Sequence, residues 1–145
     1  MMALSDWDRR FLGLAQYVAT FSKDPSTKVG CVAVGHTKNL LALGFNGLPP
    51  GIIDDERLNV REWKYEHVVH AELNALFNAT FQVEELFVTQ PCCHRCAVHI
   101  LAQRTVKRVV CSYTEEFMMR WADSVDKTRV VFDEAGVQFI TVPFQ

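Results

Sequence analysis

Hydrophobic periodicity divides the chain into stretches of helical and of extended spacing. Ser5, with Asp8 three positions on, forms a capping-box pattern with Asp in place of Glu and predicts a helix through about Phe21. Trp7, Phe11, Leu14, Ala15 and Val18 share one face of it. Turn residues follow at 22–27, and residues 28–34 and 40–45 read as paired strands across the loop Gly35-His36-Thr37-Lys38-Asn39. From Asn46 to Glu66 the chain is polar and irregular, with Gly47, Pro49, Pro50 and Gly51 near its start. A loop of that length in a compact domain is usually functional or disordered. Beyond it, 69–80 reads as helix, 85–89 as strand, 93–104 as helix and 108–113 as strand. Residues 115–135 read as mostly helix, and 137–142 as a last strand after Gly136.

The order helix, strand, strand, then three helix–strand units predicts an α/β fold. The expected architecture is a central mixed five-stranded sheet with helices on both faces. The connections after the second strand should be right-handed crossovers. No repeat, linker or low-complexity stretch divides residues 1–145, which are read as a single domain.

Composition changes this picture little. The chain is 49% apolar and 22% charged, ordinary values for a globular protein. A chain of this size buries roughly 68–70% of its unfolded surface. No apolar run reaches the ~18 residues of a membrane span. The N-terminal Met-Met-Ala-Leu-Ser-Asp-Trp-Asp lacks the basic and apolar regions of a signal peptide. The expected location is the cytoplasm, or the host cytoplasm for a viral protein, with no membrane partner. A net charge of −2 offers no general attraction to a polynucleotide, so none is expected as a partner.

The five cysteines change the picture more. Cys92, Cys93 and Cys96 crowd together, while Cys31 and Cys111 stand alone in apolar runs. That is metal spacing plus two core thiols, not a disulfide framework. Upstream lies His70-Ala71-Glu72, and the pattern H-x-E…C-x-x-C is that of zinc deaminases. Both clusters fall at predicted helix N-termini, where free N–H groups and the helix dipole favour negative charge. Cys93 and Cys96, at i and i+3, share one face and would be held as thiolates. With His70 they neutralise a zinc ion (Zn2+) and leave a fourth position for water that ionises near neutral pH. Glu72, too close to His70 to need the same metal, is the candidate for proton transfer. Taken alone, Cys-x-x-Cys also fits a structural zinc site or a redox pair. His36, His67 and His99 have no partner at metal spacing and read as surface or structural residues. His94 lies between the ligands and reads as second-layer or solvent-facing.

Five segments extend the pattern: Ser22-Lys23-Asp24-Pro25-Ser26-Thr27-Lys28-Val29-Gly30; Gly44-Phe45-Asn46-Gly47; Asp54-Asp55-Glu56; Val68-Val69-His70-Ala71-Glu72-Leu73-Asn74-Ala75; and Val88-Thr89 running into Cys93-His94-Arg95-Cys96-Ala97. Together they resemble the deoxycytidylate (dCMP) deaminase family of the cytidine deaminase superfamily, over roughly Trp7 to Val110. The resemblance implies the three-layer cytidine-deaminase-like fold and zinc-dependent hydrolysis of dCMP to dUMP. It assigns His70, Cys93 and Cys96 to zinc and Glu72 to proton transfer. Asn46 would hydrogen-bond the nucleoside, and Ser26, Thr27, Lys28 and Ala71 would also contact substrate. It further implies a homo-oligomer, a hexamer ahead of a dimer, with dCTP and dTTP as effectors felt around Gly44, Phe45 and Gly47 and at Asp54-Asp55-Glu56.

Two departures stand out. The family places Pro directly before the first ligand cysteine, whereas here Pro91 is followed by Cys92 and then Cys93. Either Cys92 replaces that proline, or Cys92 is itself the ligand; the distance from Val88-Thr89 and the i,i+3 spacing favour Cys93. The family's Asp-Lys-Tyr-like segment is also replaced by a stretch containing Met118, Met119, Arg120 and Trp121, as in a bacterial or viral subgroup. Arg120 could grip a phosphate with a bidentate guanidinium or could simply be solvated. Other readings are a deaminase of dCTP, cytidine, modified dCMP or a tRNA base, or an inactive zinc-stabilised binding module. The presence of Glu72 speaks for activity.

Overall fold

In the computed structural model, residues 4–144 are described. Met1, Met2 and Ala3, the start of the stretch read above for a signal peptide, lie outside the described residues. The first helix, α1 (Asp6–Ala19), opens with the expected reciprocal cap. Ser5 Oγ accepts from the Asp8 N–H at 3.1 Å, and Asp8 Oδ2 accepts from the Ser5 N–H at 3.0 Å. Phe11, Leu12, Ala15, Val18 and Ala19 form its buried face, while Trp7 remains half exposed and stacks on Phe11.

Five strands follow: β1 (Gly30–Val34), β2 (Leu40–Phe45), β3 (Glu85–Val88), β4 (Arg108–Tyr113) and β5 (Gln138–Pro143). They form one sheet in the order β2-β1-β3-β4-β5. β1 runs antiparallel to both its neighbours, and β3, β4 and β5 are mutually parallel. The sheet is therefore mixed, as expected. Its two faces are sorted by the period-2 alternation of strand side chains. Val32, Val34, Phe87 and Val110 point to α1. Cys31, Ala33, Leu86, Val88, Val109 and Cys111 point the other way, to α3 (Ala71–Asn78), α4 (His94–Ala102) and α5 (Glu115–Ala135). Helices thus cover both faces, and Cys31 and Cys111 are core residues with no exposed surface.

Backbone contact fixes the helices on the sheet. A β-carbon on Gly30 would lie 1.9 Å from the Ala15 carbonyl oxygen, so α1 rests directly on β1. On the opposite face, Asn74 Nδ2 donates to the Phe45 carbonyl at 2.7 Å, tying α3 to the end of β2.

The stretch expected to be irregular, 46–66, is partly helical. A 3₁₀ turn, Glu56–Asn59, is capped by Asp55, and α2 (Arg61–His67) follows. The sequence conceals α2 because Val60 provides no side-chain cap and the segment has almost no apolar face. It is held instead by Lys64, which is buried and donates from Nζ to Asp24 Oδ1 at 3.1 Å and to Ser26 Oγ at 2.7 Å. A partner forty residues away decides this helix. No helix among the described residues is long and apolar enough to cross a membrane.

Candidate active site

β2, β3 and β4 share a direction, so the segments leaving their carboxyl ends emerge at one edge of the sheet. Ligands of open α/β sheets bind in crevices at that edge. Here the edge holds a cleft of about 910 Å³, lined by Asn46 after β2, Gln90 to Cys93 after β3, and Thr114 and Phe117 after β4.

The N-termini of α3 and α4 meet on its floor. His70 is the N-cap of α3, which starts two residues later than periodicity suggests because Val69 pairs with Gly47 instead. Cys93 is the N-cap of α4, and its Sγ accepts from the Cys96 N–H at 3.4 Å. His70 Nδ1 lies 3.1 Å from Cys96 Sγ and 3.6 Å from Cys93 Sγ. All three donor atoms lie within 4.8 Å of one another. A tetrahedral ion with bonds of about 2.0–2.3 Å holds neighbouring donors roughly 3.6–3.8 Å apart, so the set fits a metal ion with little movement. The grouping brings together one imidazole and two sulfurs, with no carboxylate in it.

Charge is arranged to match. Hydrogen bonding from Cys96 draws the Cys93 thiol down to about 3, against burial and with His70 and the Cys96 N–H assisting. The hydrogen bond to Cys93 in turn raises the His70 imidazole above its ordinary value. Glu72, in the first turn of α3, is 4% exposed; burial pushes its carboxyl up, with the Cys93 charge adding and His70 opposing. A carboxyl with a raised pKa in a cleft is suited to accept and return a proton near neutral pH.

Cys92 is placed apart from the donor set. It has no exposed surface, and its carbonyl accepts from Thr128 Oγ1 at 2.8 Å, which anchors the strand-to-helix turn to α5. Its thiol is pushed well up, first by the neighbouring Cys111 and then by burial. His94 pairs with Ser124 at 3.0 Å, His36 with Glu84 at 2.9 Å, and His67 and His99 with carbonyls one helical turn back.

A match over residues 5–113 to the family described as "Cytidine and deoxycytidylate deaminase zinc-binding region" decides the assignment. The chain belongs to this deaminase family. An uncharacterised deaminase in the luxG 3′ region of Aliivibrio fischeri is 37% identical over 143 residues, covering 97% of this chain and 96% of that one. The deoxycytidylate deaminase of Homo sapiens is 32% identical over 146 residues, covering 92% and 78%. A crystal structure of the dCMP deaminase from cyanophage S-TIM5, in complex with dCMP and dUMP, superposes with a TM-score of 0.73 at 25% identity. That match covers 97% of this chain and all of the phage protein. With its relatives, this deaminase is a hydrolytic enzyme.

The remaining residues named for substrate fall into two groups. Ser26, Thr27, Asn46 and Ala71 line the deaminase cleft; Lys28 does not, and its ammonium donates to the Ser22 carbonyl. Asn46 is buried and already engaged: Oδ1 accepts from the Val29 N–H at 2.8 Å, and Nδ2 donates to the Thr27 carbonyl at 2.8 Å. Gly44, Phe45 and Gly47 lie outside the lining. Arg61, Lys64 and Tyr65 of α2 line the cleft and were not anticipated, since α2 itself was not. No local signal marks them: Lys64 reads as a solvated residue of an irregular stretch until Asp24 is placed against it.

Proposed function

We propose that this deaminase converts dCMP and water to dUMP and ammonia, using zinc held by His70 Nδ1, Cys93 Sγ and Cys96 Sγ. The observation that carries the reading is the convergence of those three donors, within 4.8 Å of one another, beside the buried Glu72 at the floor of the cleft. The deoxycytidylate deaminases among its relatives, and the dCMP and dUMP bound to the phage protein, support the substrate.

When bound, zinc lowers the pKa of a coordinated water toward neutrality and so supplies the hydrolytic nucleophile. Glu72 would take a proton from the attacking water at a carboxylate oxygen and pass it to ring N3 as the oxygen bonds to C4. It would then carry the remaining hydroxyl proton to the amine, so that the C4–N bond breaks, ammonia leaves and the C4 carbonyl forms. Burial raises its pKa, which favours its holding a proton between the two transfers. His70 and the two sulfurs, set on helix caps, keep the donor geometry rigid while the cleft wall positions the base. Asn46 acts chiefly by fixing the Thr27–Val29 backbone that forms one side of that wall.

Cytoplasmic location, a homo-oligomer and control by dCTP and dTTP complete the reading. Support for association comes from β2, a sheet-edge strand that exposes Leu40, Leu43 and Phe45. Ultraviolet assay of zinc-loaded protein on dCMP, dCTP, cytidine and deoxycytidine tests the substrate. Turnover of dCMP far above the others is expected; turnover of nucleosides alone would overturn it. Sedimentation with and without dTTP tests assembly and effector binding.

A further inference from the structure

Two arginines that line the cleft have no carboxylate partner among the described residues. Arg61, on α2, donates from Nε to Tyr65 Oη at 3.0 Å, and its guanidinium carbon stands 5.4 Å from the centre of the Tyr65 ring. That contact orients the side chain and leaves its two terminal amino groups without a protein acceptor among the described residues. Arg120, on α5, stands 5.7 Å from the Trp121 ring centre and makes no hydrogen bond or ion pair with the described residues. Most other charged groups that line the cleft have a partner or a place in the reaction. Lys64 is neutralised by Asp24, whose Oδ1 also accepts from Ser26 and Thr27. Glu72 belongs to the reaction, and Glu116 is an exposed carboxylate on the rim. A chain of net charge −2 therefore lines the cleft that holds His70 and Cys93 with two planar guanidinium groups that have no carboxylate partner among the described residues.

We propose that Arg61 and Arg120 together hold the 5′-phosphate of the substrate and so select a nucleoside monophosphate over the free nucleoside. The proposal rests on the deaminase reading above and assigns the specificity of that same site. Guanidinium forks match phosphate oxygens in bidentate geometry, which a lysine ammonium does not reproduce. The aromatic neighbours Tyr65 and Trp121 reduce the freedom each arginine loses on gripping the anion. Arg120 and Trp121 fall in the stretch where the sequence departs from the family's Asp-Lys-Tyr-like segment. The phosphate grip would be built from α2 and the first half of α5.

The test compares R61Q, R120Q, the double variant and R120K as full-length, zinc-loaded proteins. Rates on dCMP and deoxycytidine are measured, and binding of dUMP and deoxyuridine is followed by calorimetry. Each single change to Gln should raise KM for dCMP roughly 10-fold to 100-fold, as expected for loss of charge-assisted hydrogen bonds. The double variant should erase most of the preference for dCMP over deoxycytidine, and R120K should recover only part of it. Weaker binding of dUMP, with deoxyuridine little changed, would support the grip independently of catalysis. Both substrates falling in parallel, or an unchanged preference in the double variant, would overturn it. A wild-type protein that turns over neither substrate overturns the deaminase reading itself; an active wild type with unaffected variants overturns only the arginine assignment.

Discussion

A β-carbon on Gly44 would stand 2.3 Å from the Ala71 carbonyl oxygen and 2.4 Å from the Ala75 nitrogen, so β2 and the first turns of α3 meet backbone to backbone. His70 and Glu72 flank Ala71, so this contact sets how far both reach into the cleft. Gly44, named above for effector response, lies in β2 against the helix that carries Glu72.

Gly44→Ala must displace α3, because both obstructing atoms are backbone. The expected loss is about 1–3 kcal/mol, the usual cost of overpacking. Urea unfolding should show a lower midpoint with an unchanged slope, and bound metal per chain should fall. Retained stability with an altered response to dCTP would instead favour a regulatory role.

Glu72→Gln keeps the shape of the side chain and removes its proton chemistry. Glu72 is outside the donor set, so metal content should match wild type while kcat falls about 100-fold to 10,000-fold. Elemental analysis beside steady-state kinetics reads both. Intact activity would remove Glu72 from the mechanism.

The neighbouring cysteines should part company on substitution. Cys93→Ala removes a donor and should abolish stoichiometric metal binding. Cys92→Ala should keep the metal and cost about 1–2 kcal/mol, through loss of a fully buried side chain. Metal titration of the two variants decides which cysteine is the ligand. The reverse pattern would assign the ligand to Cys92.

Lys64→Met leaves Asp24 with the Ser26 and Thr27 N–H groups but without its ammonium. A loss of about 1–3 kcal/mol is expected for a buried acceptor stripped of a partner. Because α2 loses its tether, KM should rise more than kcat falls.

Acid should destabilise the protein through two buried carboxylates. Burial alone would raise Asp8, but Arg108, at 2.7 and 2.8 Å, with the Ser5 N–H, draws it below the ordinary value. Burial likewise opposes Asp24, and the Thr27 and Ser26 N–H groups with Lys64 outweigh it. A depressed folded-state pKa adds stability that is fully present above the unfolded value near ~3.9 and is lost as pH falls through the folded one. Urea midpoints should therefore hold from neutrality to about pH 5 and drop between about pH 4 and 2. In Asp8→Asn that acid-side slope should shrink.

Local pattern carried much of this protein. The Ser5–Asp8 cap, the alternating strands and the placement of His70 and Cys93 at helix starts are encoded within a few residues, through hydrogen bonds and side-chain period. They are legible for that reason, and the donor set follows from its spacing and chemistry. Other features depended on partners distant in sequence. α2 exists because Lys64 finds Asp24; Asn46 is engaged because Val29 and Thr27 fold against it; and Lys28 turns to the Ser22 carbonyl instead of the cleft. Gly44 reads as an ordinary strand position until α3 is laid across it. Sequence determined which chemistry this chain carries, because metal donors and caps are local. Only tertiary structure decided which polar side chains remain unspent in the cleft, because that depends on every neighbour the fold brings near.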